Sequence, residues 1–449
     1  MDASSISEIT YPFQTNTAPR VQGVGEDPSY NGVETLFDVR IPAASRVLFD
    51  KSYFKVTGYA ANMAIGKGSP VLLGTSIPWN SIAALFETAE VQLNQNATTT
   101  EQINQNLGDG SMVKFLTRYT REAIEAMDDS MYTPCFEASR DQVGPALGTT
   151  YLSAISQARR FTQLVEQAGV YQKPTSKNIY LADVFDSLRL PAAFYIQNLQ
   201  FKIRPKMAAD ILIKDTVCLG VNAPLQKFFV TGISLYLTMV NLTENQLVIE
   251  REKILRNETL LLESFYSYDA IQKTHSQGAS YRDSNIKNMQ AAIFMFPSSS
   301  AADGIGVNPY QYVYGSGAGG ATGVSSFQQK YDNIYSPAQP LAISNTAHWL
   351  NSDMFAQYRL ICRKMAEREI TPALRFFDFV GPRGTAEDES CYTLFCSQFY
   401  PQTAYGHKNM AGADHEIITS GGAVEPIVIV RIRLSFLEIR GDTSVNMIN

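Results

Sequence analysis

The sequence is short of the side chains that do chemistry. Its 449 residues include four histidines (His275, His348, His407, His415), five cysteines and two tryptophans. No histidine falls in an H-E-x-x-H helix pattern or in a Cys/His spacing that would hold zinc. The cysteines (Cys135, Cys218, Cys362, Cys391, Cys396) are odd in number and thinly spread. That argues against a disulfide framework and for assembly in a reducing compartment. Cys391 and Cys396 would fall on opposite faces of a strand and read as buried or edge thiols. No G-x-S-x-G nucleophile elbow occurs. The run YGSGAGGATG lacks the Lys of a phosphate-binding loop, and no apolar-periodic helix follows Gly323, so it reads as flexible loop. Asp414, His415 and Glu416 are consecutive. Neighbours in extended chain diverge, so they are read as a solvated loop ahead of the last strand. No catalytic residue, metal site or cofactor is expected, and the chain is not read as an enzyme.

Basic charge is also scarce. Lys and Arg number 37 against 43 Asp and Glu, for a net charge of -6. The first thirty residues carry Arg20 alone against Asp2, Glu8, Glu26 and Asp27. Proteins that coat nucleic acid present a basic face or tail, so direct, sequence-specific nucleic-acid binding is not expected. Arg159–Arg160 and Arg363–Lys364 read as solvated helix faces. The amino terminus has no basic region followed by an apolar run, hence no expected signal peptide. No uninterrupted apolar stretch reaches the ~18 residues of a spanning helix. The acceptor tripeptides at Asn96, Asn241 and Asn257 carry little weight without secretion.

What the chain has in quantity is apolar and aromatic material: 45% hydrophobic, with 24 Phe and 23 Tyr. Residues 1–30 are polar and aperiodic and read as an extended arm. Beyond them the text alternates with period 2, the mark of a half-buried strand. Phe54, Val56 and Gly58 alternate with Lys55 and Thr57; Leu199, Phe201 and Ile203 with Gln200, Lys202 and Arg204; Ile233, Leu235, Leu237 and Met239 with Ser234, Tyr236, Thr238 and Val240. In the last strand, 427–439, Val428, Val430, Ile432, Leu434 and Phe436 oppose Arg431, Arg433 and Ser435. Helical spacing of three and four appears at 111–129 (Val113, Leu116, Tyr119, Ala123, Met127) and at 152–169 (Ile155, Ala158, Phe161, Leu164, Val165), with a further candidate near Leu350–Ile370. The charged stretch 244–257 reads as a helical connector. The Gly/Ser/Ala-rich stretch 297–330 reads as a long surface loop. The organisation is thus a 1–30 arm, a strand-rich half at 31–243, the connector, and a second strand-rich half at 258–449. This is a mainly β chain with inserted helices and long loops.

Two passages carry a resemblance. WNSIAALFETAEVQLNQN, residues 79–96, resembles the segment of double jelly-roll major capsid proteins in which N-x-[LI]-x-x-L-F leads into a strand ending in Leu-Asn. Asn80, Ile82, Leu85, Phe86, Val91, Leu93 and Asn94 occupy those places. NIYLADVFDSLRLPAAFYIQNLQFKIRP, residues 178–205, is similar to the passage where an L-x-D-[LV]-F turn leads into the family's L-x-[IF]-x-[IL]-x-R strand. Asp183, Val184, Phe185, Leu199, Phe201, Ile203 and Arg204 match. FFVTGISLYLTMV is similar to the strand that closes the first sandwich. The likeness is strongest over 35–240, and the second half keeps the expected order in outline. Polinton-like viruses, virophages and related tailless icosahedral dsDNA viruses are the relatives it points to.

The resemblance implies two side-by-side eight-stranded antiparallel jelly-roll sandwiches. It implies a homotrimer forming a pseudo-hexagonal capsomer that tiles an icosahedral virion shell around a dsDNA genome. Neighbouring capsomers, penton and minor capsid proteins would be the partners, and assembly would occur inside the host cell. A non-viral β-sandwich binding module, a lectin or adhesin, is the alternative; it would require secretion and a concentrated aromatic site.

Overall fold

The computed structural model describes residues 8–63, 75–76, 85–94, 101–103, most of 113–123, 175–211, 213–214, 226–275, 280–282, 288–295, 326–331, 334–342, 352–366, 372–374, 395–398, 414–420 and 425–448. The first half runs β1 (Glu8–Gln14), β2 (Thr35–Arg40), β3 (Ser45–Asn62), β4 (Thr75–Ser76), β5 (Phe86–Leu93), β6 (Glu101–Ile103) and β7 (Thr175–Tyr180). A short helix α1 (Leu181–Val184) and a 3-10 turn (Asp186–Leu188) follow, then β8 (Ala193–Phe194), β9 (Asn198–Pro205), β10 (Ile213–Lys214) and β11 (Gln226–Asn241). Helix α2 (Glu244–Leu255) leads into the second half: β12 (Thr259–His275), β13 (Ser280–Arg282), β14 (Met289–Met295), β15 (Ser326–Tyr331), β16 (Ile334–Ala342), α3 (Ser352–Met365), β17 (Phe395–Gln398), β18 (Asp414–Ser420), β19 (Glu425–Arg440) and β20 (Val445–Ile448).

The pairing repeats. In the first half the sheets run β1-β11-β3-β7, with β8 also on β3, and β2-β9-β5-β6; β4 and β10 form a separate small pair. In the second they run β12-β19-β14-β17, with β20 also on β19, and β13-β18-β15-β16. Leaving out β4, β8, β10 and β20 and counting strands within each half, both halves read 1-8-3-6 and 2-7-4-5. Every pairing is antiparallel, and each half's last long strand returns to lie between its first and third.

Alternation decides which side chains enter the core. Along β9, Leu199, Phe201 and Ile203 are buried, while Gln200 and Lys202 are half-exposed and Arg204 is exposed. On β3 the ring of Phe54 lies 5.7 Å from that of Phe37, 6.2 Å from Phe86 and 5.4 Å from Phe201, so three strands of the facing sheet converge on it. One apolar cluster runs through both halves, from these rings to Ile293, Val430 and Ile439. The connector 244–257 is helical, as its charge pattern implies. Thr243 and Gln246 form a reciprocal capping box at the start of α2. At its end Asn257 takes a left-handed φ of 51°, with Asn257 N–H donating to Ile254 O and Glu258 N–H to Lys253 O. That is the Schellman closure Asn tolerates.

Several expectations are corrected. Within the 1–30 arm, residues 8–14 form β1, paired along its length with β11. The segment behind it is pinned. Buried Asn31 donates to Lys206 O and Phe228 O and accepts from Val230 N–H. β1 is an edge strand exposed at nearly every residue, even at the alternating Ile9 and Tyr11, so backbone bonds to β11 and not burial hold it. In the 297–330 stretch, 326–330 belong to β15, where Gln328 and Gln329 are buried despite their polarity. Asp414, His415 and Glu416 open β18 and pair with Arg282, Tyr281 and Ser280 of β13, so they are strand and not loop. The last strand extends over Glu425–Arg440, and its buried face changes along its length. Val428, Val430 and Ile432 are buried, but Leu434 and Phe436 are only half-buried, whereas Ser435, Leu437 and Ile439 are buried. The change coincides with the handover of one edge of β19 from β14 to β20. The expected helix at 152–169, residues 79–84 of the first motif and residues 297–325 lie outside the described residues.

Candidate functional site: the junction between the two halves

The most demanding chemistry in the described structure lies where the halves meet. Val113, Lys114, Leu116, Thr117 and Arg118 are helical and buried, and they form a wedge between the halves. Asp186, in the 3-10 turn after α1, is 1% exposed. Its Oδ1 lies 3.0 Å from Lys114 Nζ and 3.0 Å from an Arg118 nitrogen. Its Oδ2 accepts the backbone N–H of Tyr268 on β12 at 2.8 Å. Lys114 also donates to Val184 O, and Arg118 donates to Tyr266 O at 2.6 Å and lies over the Tyr268 ring, 4.3 Å from its centroid. Glu101, at the start of β6, accepts from the N–H groups of Asp186 and Ser187 and from the Ser187 hydroxyl, holding the turn that carries Asp186.

Buried charge is tolerated only when paired and hydrogen-bonded, and the titration of these groups shows both influences. Burial alone would raise the Asp186 carboxyl, but Lys114, Arg118 and the Tyr268 amide outweigh it and hold the group below the usual carboxylate range. Glu101 goes the other way: burial, and then the charge of Asp186, raise it against the pull of Lys114 and Ser187. Burial pushes the Tyr119 hydroxyl up strongly, helped by Asp183, whose Oδ1 accepts it at 2.5 Å.

Three more contacts cross the junction. Tyr358 and Cys362 of α3 both donate to the backbone carbonyl of Leu116, at 2.5 and 3.5 Å. Burial pushes the Cys362 thiol up to about 12, which leaves it a packing group without nucleophilic character. Asn94, at the end of β5, takes a left-handed φ of 60°. Its amide accepts from Gln197 N–H and donates to Thr443 O in the turn before β20, both at 2.9 Å. Arg46 of β3 pairs with Glu250 of α2 and lies over Tyr195; burial brings its guanidinium down to about 10. Around α2 the apolar Val248, Ile249, Leu255 and Leu262 are exposed among charged neighbours such as Arg251, Glu252 and Lys253.

Some of the motif residues lie here; Asn80 and Ile82 fall outside the described residues, and Arg204 is exposed on β9. Asp183 and Asn94 tie the turn after β7 and the end of β5 to their surroundings, and Val184 and Phe185 enter the core. Lys114, Arg118, Glu101 and Asp186 were not singled out by sequence. The available signal was two carboxylates, Asp183 and Asp186, set among the apolar residues of LADVFDSLRL without alternation. Among the described residues no group of three His, Cys, Asp or Glu is placed to hold a metal ion, and no helix is long and apolar enough to cross a membrane.

No protein-family model matches the sequence, and no curated protein does. Solved structures do. A chain of the 3.5 Å cryo-EM structure of the Sputnik virophage matches 98% of this chain over 88% of its own, at 12% identity and a TM-score of 0.55. The mavirus major capsid protein matches 99% over 90% of its own length, at 8% identity and a TM-score of 0.54. A chain of the PBCV-1 virus capsid matches at 9% identity and a TM-score of 0.50, covering 100% of this chain and 98% of its own. Across almost its whole length, therefore, this chain has the fold of the mavirus major capsid protein, the fold that the motifs at 79–96 and 178–205 implied.

Proposed function

We propose that the chain is a major capsid protein of the double jelly-roll type, a shell component of a virion and not an enzyme. In this reading each pair of sheets closes into an eight-stranded jelly-roll sandwich, and the two stand side by side. Three chains build a pseudo-hexagonal capsomer, and capsomers tile an icosahedral shell around a dsDNA genome, with penton and minor capsid proteins completing it. The observation that carries this is the repeat of one strand order, 1-8-3-6 and 2-7-4-5, in both halves of a single chain. Two such units in one chain give a trimer six similar walls, and the match to the mavirus major capsid protein spans both halves. The mechanism is assembly. Obligate interfaces of this kind bury on the order of 2,000–5,000 Å² and are more apolar than transient ones.

Light scattering coupled to size exclusion, followed by negative-stain microscopy, tests it. The expected result is a particle of three times the chain's mass with hexagonal outline, forming sheets or shells at higher concentration. A stable monomer at micromolar concentration would sink the reading.

A further inference from the structure

The wedge at 113–118 belongs to the first half by sequence, yet much of what it touches belongs to the second. Thr117 Oγ1 meets the Tyr268 hydroxyl at 2.9 Å, Arg118 donates to Tyr266 O, and Leu116 O receives Tyr358 and Cys362. Its two cations, Lys114 and Arg118, have one shared counter-charge, Asp186, and that carboxylate also holds the Tyr268 amide. The first half's turn, the wedge and the second half's first strand therefore meet on a single side chain. Neither half completes its own hydrogen bonding here alone. Without β12 an Asp186 oxygen loses its amide donor, and without Asp186 two buried cations lose their anion.

We propose that this arrangement is a latch that makes the two halves one cooperative unit, with Asp186 as its bolt and the 113–118 wedge as the part it holds. The groups facing Asp186 are Lys114 and Arg118 from the wedge, Tyr268 from β12, and Glu101 from β6 through the turn. Glu101 works through Asp186: its three hydrogen bonds fix the turn and with it the bolt. Contiguous units of one chain can open separately. Beside the apolar cluster that runs through both halves, the junction adds a contact made by charge and backbone, which apolar packing alone would not orient.

The test uses the full chain. Wild type is expected to unfold in one transition by calorimetry and by fluorescence, with the Tyr268 amide exchanging no faster than the centre of β11. In Asp186→Asn the bolt loses its charge. Unfolding is expected to split into two transitions, and the Tyr268 amide to exchange on the order of 100-fold faster while the β3–β11 amides keep their protection. Thr117→Val, which removes the hydroxyl bridge without touching charge, is expected to move the same amides in the same direction by less, and it serves if Asp186→Asn does not fold. One unsplit transition in both variants, with β3–β11 and β12 amides accelerated equally, would overturn the latch.

Discussion

The two halves share a strand order but not a pattern of burial. In the first half β9 shows one face to the core and the other to water, residue by residue. In the second half β14, the counterpart of β3 beside the returning strand, is buried at all seven positions, Met289 through Met295, where β3 alternates from Ser52 to Ala60. The difference lies in what covers the outer face. Outside β9 there is solvent, with Lys202 and Arg204 making exposed pairs to Glu90 and Glu87. Over the β12-β19-β14-β17 sheet lie the wedge, through Thr117 on Tyr268, and helix α3, which packs on β17. A single topology therefore needs alternation only where one face stays wet. Where a helix and a neighbouring half cover the second face, a continuous apolar run serves.

The sharpest way to break that contrast is to put one charge in each place. Ala292→Lys on β14 would bury an ammonium with no anion prepared for it, directly opposite Arg431. We expect a loss of about 4 kcal/mol or more, seen as insoluble or unfolded protein, because burying an unpaired charge belongs to the most costly class of substitution. Lys202→Thr on β9 removes an exposed charge from an exposed pair and is expected to stay within about 0.5 kcal/mol. Chemical denaturation of both variants decides it. Equal effects would mean that the two sheets are covered alike.

That contrast also explains what could be read from the sequence. Strands with one wet face announced themselves: Phe54–Gly58, Leu199–Ile203 and Ile233–Leu237 alternate in the text and in the structure, whereas Thr238 and Val240, expected on the outer face, are buried. Helix α2 was legible from its charge, and α3 from the spacing near 350–370. Edge and doubly covered strands were not. β1 does alternate, Ile9, Tyr11 and Phe13 with Thr10, Pro12 and Gln14, but it is only seven residues long and lies in a polar stretch, whereas the opening of β18 carries Asp-His-Glu and has no period to detect. The phase change along β19 could not be seen either, because it depends on which strand lies alongside, a fact of tertiary pairing. The junction was least legible. Lys114 and Arg118 sit one step from an apolar helical face, and nothing in the local sequence marks them as buried. Only the position of Asp186, some seventy residues away, makes them buried partners.

Acidity offers the next probe of the junction, and the two carboxyls pull in opposite senses. Asp186 titrates lower in the folded chain than its ordinary 3.8, so its contribution is full above that value and is lost as pH falls through its folded value. Glu101 titrates higher than its ordinary 4.5, so its contribution is full below that value and is lost as pH rises through its folded value. Together they place the strongest junction near pH 4, with a decline toward neutrality carried by Glu101. Glu101→Gln cannot ionise, and we expect the denaturation midpoint of that variant to lose this decline as pH rises above 4.5, whatever happens to its absolute level. A slope equal to wild type would assign the decline to other groups.

The smallest effects belong to α2, which joins the halves and meets both, through Glu250 on Arg46 and Ile254 beside Gly441. No residue of α2 is fully buried, and Leu255, at its last turn, is 86% exposed. Yet Gly441, just past β19, lies so close that a Cβ there would stand 2.7 Å from Ile254 Cα and 2.9 Å from Ile254 O. Those are backbone atoms that cannot swing aside. Gly441→Ala should therefore force the helix off the sheet, at about 1–3 kcal/mol for overpacking. Leu255→Lys replaces an exposed apolar side chain with a cation at a helix C-terminus, where the macrodipole favours positive charge, and should change stability by less than about 0.5 kcal/mol. Measured side by side by thermal unfolding, a large loss at Leu255 or none at Gly441 would show that the connector is held by its outer face and not by its seat on the second half.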